Sequence, residues 1–128
     1  QCVLVEPVAS PCFLLRLASG DDALSVYDIG LDNHTVADGL AVPRASATVA
    51  GIVGPLIDAV ITVSDASLLA EVRHQWQQHG LRLEPSAAAG FVAHALASAQ
   101  WPGSVIPVVW TTGGNGLPDE VFLPLLAE

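Results

Sequence analysis

VIPVVWTTGGNG, residues 105–116, runs from an apolar, β-branched segment straight into a turn of two hydroxyls, three glycines and an asparagine. Val, Ile and Trp suit a pleated, half-buried surface, so 105–110 is expected to be a buried strand. Pro107 moves it toward an edge or a bulge, because proline cannot donate to a ladder. A second run, Ala59–Val63 (AVITV), reads as a central parallel strand, and Cys2–Val5 as a short buried strand ending at Glu6-Pro7. Helical patterns separate them. Pro11–Leu17 forms a short helix opened by proline, and Ser46–Ile57 a helix weakened by Gly51, Gly54 and Pro55. Ser64 or Asp65 caps a helix with Leu68, Leu69, Val72 and Trp76 at helical spacing, closed by Gly80. Residues 81–83 form a brief extended link. Ser86 caps an alanine-rich helix to about Gln100, apolar nearly all round, and Asp119–Ala127 is a last helix interrupted by Pro124. Residues 19–43, rich in glycine and aspartate, form a loop long enough to be functional. Strands alternating with helices define an α/β class, a parallel sheet with flanking helices. The carboxyl ends of the strands at 59 and 105 are expected to open onto one crevice, where ligands bind in such sheets.

The 128 residues, 52% hydrophobic and 13% charged, supply one compact core and no disordered tract. Four arginines, no lysine and thirteen acids give a net charge of -9, which repels a phosphate backbone and argues against nucleic acid. No apolar run reaches the 18 or more residues of a membrane span. The opening Gln1-Cys2-Val3-Leu4-Val5 lacks a basic leader and resembles the middle of a strand. The expectation is a soluble, cytoplasmic protein with no membrane partner. Cys2 and Cys12, the only thiols, lie in apolar surroundings and read as free buried cysteines rather than a disulfide or a metal pair.

Three segments can carry chemistry, and each also has a plain structural reading. Thr111-Thr112-Gly113-Gly114-Asn115-Gly116 is either an ordinary glycine-rich turn or a loop whose glycines admit a ligand beside a strand-end hydroxyl. Thr35-Val36-Ala37-Asp38-Gly39-Leu40-Ala41-Val42 sets an acid before a glycine, and by itself reads as an ordinary helix-entry turn. In Glu6-Pro7-Val8-Ala9-Ser10-Pro11-Cys12 a carboxylate precedes a proline-shaped loop whose carbonyls can converge on a hard cation, or it is a solvated acid. His74, His79 and His94 show no ligand spacing; His34, beside Asn33 in the long loop, is the one histidine placed to line a substrate side.

Taken in order, Val5-Glu6-Pro7, Ser10-Pro11-Cys12, Asp28-Ile29-Gly30-Leu31-Asp32-Asn33, Ala37-Asp38-Gly39-Leu40-Ala41-Val42, Val63-Ser64-Asp65, Leu83-Glu84-Pro85-Ser86-Ala87 and Thr112-Gly113-Gly114 resemble the fold type II (tryptophan synthase β-like) pyridoxal phosphate enzymes over nearly the whole chain. This group contains threonine deaminase, serine dehydratase and serine racemase. The stretch Asp28–Ser46 resembles its D-serine dehydratase branch more than the L-specific ones. The resemblance implies that residues 1–128 are the carboxyl-terminal part of the large, cofactor-binding domain, with no separate second domain. It implies pyridoxal 5'-phosphate as cofactor and an amino acid, D-serine, as substrate. It also implies a missing amino-terminal partner segment that carries the lysine amine such enzymes require and the phosphate-cradling glycine loop.

Carried over position by position, the resemblance makes Thr112 the hydroxyl that hydrogen-bonds the cofactor's pyridine nitrogen. Gly113 lets the loop pass close beneath the ring, while Asp38 and Gly39 line the opposite wall. Glu84 stands near the same crevice, equally suited to capping a helix. Glu6, through its side chain, with the carbonyls of Ser10 and Cys12, is placed to hold a monovalent cation such as potassium or sodium. No catalytic amine lies on this chain, so the 128 residues alone are expected to be inactive. An L-serine or L-threonine dehydratase of the same fold, and a non-catalytic α/β binding module, remain the alternatives.

Overall fold

The computed structural model describes residues 1–97 and 106–127. Two parallel strands, β1 (Val3–Pro7) and β2 (Ala59–Val63), pair in register from Val3 opposite Ala59 to Pro7 opposite Val63. The register is pinned at both ends. At the start, the Cys2 amide donates to the Asp58 carboxylate at 2.6 Å and the Asp58 amide to the Cys2 carbonyl at 2.9 Å. Beyond the last pair, the Val8 amide donates to the Val63 carbonyl at 2.9 Å. Pairing of β-branched residues on a pleated surface accounts for both strands. They are half-buried along most of their length rather than enclosed.

Five helices surround this pair among the described residues: α1 (Cys12–Ser19), α2 (Ala47–Val53), α3 (Asp65–His79), α4 (Pro85–Ala97) and α5 (Asp119–Leu126). The start of α3 is capped by the Ser64 hydroxyl, which accepts from the Ser67 amide at 3.2 Å. Its end is closed by Gly80 in a left-handed conformation, φ 64°, whose amide reaches the Trp76 carbonyl at 3.0 Å. Helix α4 packs on the sheet and on α3 together. Its small side chains make that double contact possible, since Ala87, Ala88, Ala89 and Ala93 are all buried and let two layers approach one helix closely. Leu68 of α3 and Val63 of β2 meet Ala89 and Val92 in the main core, and Phe122 of α5 closes a second cluster with Val72 and Ala88. Arg73 of α3 donates to the carbonyls of Leu125, at 3.1 Å, and Ala127, at 2.6 Å, satisfying the open end of α5.

Several expectations need correction. Residues 106–110 form no strand among the described residues, and Ile106, Val108 and Trp110 are 92%, 85% and 83% exposed. Their composition suits a strand, but a ladder forms only where a neighbouring edge is brought alongside, and here Val109 packs instead onto Gly90 of α4. Val105 and residues 98–100, assigned from sequence to this strand and to α4, lie outside the described residues. Helix α4 begins two residues early, at Pro85. The Glu84 carbonyl accepts from the Ala87 and Ala88 amides, and Ser86, expected as the cap, sits within the first turn. Pro124 does not interrupt α5, since proline in the helix removes one rung without forbidding the helical φ. The long loop between α1 and α2 holds two 3-10 turns, Val26–Ile29 and Asp38–Leu40. No helix among the described residues is long and apolar enough to cross a membrane.

Candidate active site

Because β1 and β2 run in the same direction, their carboxyl ends lie side by side, and the segment 33–42 is fastened to the residues just past each of them. After β1, the fully buried Ser10 hydroxyl donates to the Asn33 side-chain carbonyl at 2.6 Å, with the Val42 carbonyl 3.1 Å away. The Asn33 amide group donates to the Ala41 carbonyl at 3.2 Å. Asn33 has φ 61°, a left-handed geometry that asparagine tolerates better than most residues. After β2, the Asp65 carboxylate accepts from the Thr35 hydroxyl at 2.5 Å and the Val36 amide at 3.0 Å. The loop is thus held at the strand ends, where ligands bind in open α/β sheets.

This fastening delivers Gly39 to the first turn of α4, where its amide donates to the Ser86 hydroxyl at 3.0 Å. A side-chain carbon at Gly39 would sit 3.0 Å from that same oxygen. Asp38 is exposed beside it. On the other side of the α4 start lies the loop 111–115, where a carbon added at Gly113 would come within 2.8 Å of a Glu84 carboxylate oxygen. Glu84-Pro85-Ser86 therefore separates the two loops that the sequence singled out. A cavity of about 260 Å³ is lined by Leu81, Arg82, Leu83, Thr111, Thr112, Gly113 and Asn115. A second, also about 260 Å³ and more apolar, holds Gly39 with Glu6, Cys12 and residues of β1 and α2. Thr112 and Gly113 share the first cavity, Gly39 opens onto the second, and Asp38 lines neither. His34 is exposed and also lines neither, with its ring 3.8 Å from the Asp32 carboxylate.

Thr112 is exposed, and its hydroxyl makes no hydrogen bond among the described residues. A free neutral donor at the mouth of a small cavity fits a ligand that offers an acceptor atom, such as an aromatic nitrogen. The ring-side role implied for Thr112 and Gly113 is thus compatible with the residues present. Covalent attachment is not, because the sequence contains no lysine.

Glu6 is buried, and both its oxygens are engaged, accepting from the amides of Phe13 at 2.8 Å and Leu14 at 2.9 Å. This is a carboxylate seated on the amino terminus of α1, where the helix dipole favours negative charge. Burial first, and the neighbouring Glu6 charge and hydrogen bond next, push the Cys12 thiol up to about 12. It stays protonated at neutral pH, so its sulfur is no thiolate ligand or nucleophile there. Ser10 and Cys12 share one turn with Glu6, but among the described residues no group of three or more His, Cys, Asp or Glu side chains is gathered for a metal ion. Sequence reasoning overlooked the use of Glu6 as a cap. The signal was present, since Pro11 already marked a helix start within reach of it.

Arg82 also escaped notice. Its guanidinium donates to the Leu117 carbonyl at 2.5 Å, pairs with Asp119 at 2.9 Å and lies 4.3 Å from the centre of the Phe122 ring. The only advance hint was a cation at the border of a helix in a chain with four of them.

No family model matches the chain. Among solved structures it resembles a threonine deaminase from T.th., with a TM-score of 0.68 at 24% identity, covering 78% of this chain and 35% of that one. It also resembles maize serine racemase, with a TM-score of 0.57 at 26% identity, covering 71% and 27%. The fold is therefore that of the fold type II pyridoxal phosphate enzymes, as the ordered motifs implied. In sequence the chain is similar to the D-serine dehydratases. It is 44% identical to a probable D-serine dehydratase of Sinorhizobium medicae across 95% of its length, and 38% identical to the D-serine dehydratase of Salmonella newport across 100%. It spans 31% and 32% of the length of those two proteins.

Proposed function

We propose that this chain is the carboxyl-terminal part of the large domain of a cytoplasmic, pyridoxal 5'-phosphate-dependent D-serine dehydratase, which converts D-serine to pyruvate and ammonia. The observation that carries this reading is the Thr112 hydroxyl, unengaged among the described residues, at a cavity also lined by Arg82 and Leu83, in a chain whose sequence is similar to D-serine dehydratases along essentially all of it. When bound, pyridoxal phosphate supplies the electron sink that eases loss of the Cα proton and of the β-hydroxyl. Thr112 contributes a hydrogen bond to the ring nitrogen. Because the donor is neutral, it leaves that nitrogen unprotonated, whereas a carboxylate would hold a proton there. By that neutral bond Thr112 would favour expulsion of the β-hydroxyl over transamination in the loaded enzyme. Gly113 keeps the loop low over Glu84, and Asp38 and Gly39 form the wall beyond the α4 start. The lysine that completes the chemistry belongs to the remainder of the enzyme, so the 128 residues alone turn over no substrate.

In the enzyme that contains this sequence, Thr112→Ala is expected to lower kcat by about 10- to 100-fold, the scale of one lost hydrogen bond to a reacting group, and to shift the cofactor absorption band. Thr112→Ser keeps the hydroxyl and is expected to stay within about threefold of the parent. Unchanged kinetics and spectrum in Thr112→Ala sink the ring-nitrogen role. Parallel assays with D-serine, L-serine and L-threonine separate the D-specific reading from the L-specific one.

A potassium or sodium ion belongs to the same reading, held by the Glu6 carboxylate and the carbonyls of Ser10 and Cys12. With two α1 amides and the Cys12 thiol donating to it, the Glu6 carboxylate keeps one of its four lone pairs, which leaves room for this use. Replacing alkali ions with a bulky organic cation should lower cofactor retention, and indifference to the exchange retires the cation.

A further inference from the structure

The loop that carries Thr112 is held at two points just past that residue, by the main chain of residues 82–84 and by the Arg82 side chain. At the near end, Gly114 lies so close to residues 82–84 that a side-chain carbon there would overlap the Arg82 carbonyl oxygen. At the far end, the Arg82 guanidinium holds the Leu117 carbonyl at 2.5 Å and the Asp119 carboxylate at 2.9 Å. Between these points the Leu117 amide closes back on the Gly114 carbonyl at 3.1 Å. The guanidinium is braced in turn by the fully buried Phe122 ring, 4.3 Å below it. We infer that Arg82 is a positioning residue: it fixes the height and direction of the 111–117 loop, and through it the aim of the Thr112 hydroxyl. Arginine suits this task where lysine does not, because a planar fork can serve a carbonyl and a carboxylate at once and stack on an aromatic face. A positioning error of about 1 Å at a reacting centre is enough to cost about 10²-fold in rate.

The inference rests on the Thr112 reading given above, and a double-mutant cycle in the complete enzyme separates the two. Arg82→Ala is expected to lower kcat by about 10- to 100-fold, with a smaller change in KM. It should also shift the cofactor absorption in the same sense as Thr112→Ala. In the Thr112→Ala background it should add no more than about a threefold loss, since two changes acting on one contact are not additive. Arg82→Lys, which keeps the charge and is less prone to misfold, should show an intermediate loss of the same kind. In the cofactor-free enzyme, amide exchange over 111–117 should quicken in both Arg82 variants while the amides of α3 stay protected. Arg82 variants with parental spectrum and kcat, or losses that multiply with that of Thr112→Ala, overturn the positioning role and leave the functional reading standing. A Thr112→Ala enzyme indistinguishable from the parent overturns both.

Discussion

Gly114→Ala is expected to cost the complete enzyme at least about 10²-fold in kcat/KM, the scale of a displaced reacting group, with weakened cofactor binding. Three contacts decide this. The new methyl carbon would overlap the Arg82 carbonyl oxygen and lie 2.5 Å from Leu83 Cα and 2.6 Å from the Glu84 amide nitrogen. All three are main-chain atoms, so no side chain can swing aside, and either the loop or the link 81–84 has to move. Gly114 also has φ 131°, a backbone region that any residue with a Cβ adopts only under strain of about 1–3 kcal/mol. Gly116→Ala is the matched control. A carbon there meets nothing within 4 Å, so turnover and thermal midpoint should stay near the parent values. Equal behaviour of the two variants in a steady-state assay would show that close packing of the loop onto residues 82–84 does not matter.

Phe122→Ala carries the largest expected loss of stability, about 3–5 kcal/mol by denaturant unfolding, as for other buried aromatic truncations. Phe122 is fully buried among Val72 and Ala88. Trp76 meets its ring edge-on at 5.3 Å, and Arg82 rests on its face. Removing the ring leaves a cavity, takes away the edge contact of the already exposed Trp76 and removes the support of the guanidinium that steadies the Thr112 loop. Phe122→Leu should recover part of the loss by filling the space without restoring the aromatic contacts. A loss under about 1 kcal/mol for the alanine variant is below the range of buried large-to-small changes and would place Phe122 outside the core.

The reading from sequence succeeded where local chemistry decides structure. AVITV at 59–63 and the run ending at Glu6-Pro7 are short apolar runs with sharp ends, and both are strands; they pair with each other, so 59–63 is not the central strand expected among the described residues. Helix α3 carries its start signal in Ser64 and its stop signal in Gly80. The same reasoning failed where the answer depends on partners distant in sequence. Ile106, Val108 and Trp110 have strand propensity, but no neighbouring edge meets them among the described residues. Gly113 and Gly114 were read as room for a ligand, and Gly114 in particular makes room for residues 82–84, about thirty positions back. Spacing also did not show the second use of Glu6, whose oxygens accept from the α1 amides of Phe13 and Leu14. The clasps that hold the 33–42 loop, Ser10 to Asn33 and Asp65 to Thr35, join residues 23 and 30 positions apart. Each of these residues stood inside a recognised motif, but which one would meet which was not written in the spacing.

The most direct test is the nitrogen resonance of isotope-labelled cofactor in the complete enzyme. With Thr112 donating a neutral hydrogen bond, the ring nitrogen should resonate as an unprotonated acceptor and move when Thr112 is replaced by alanine. A protonated nitrogen, or a resonance that ignores Thr112→Ala, contradicts the account.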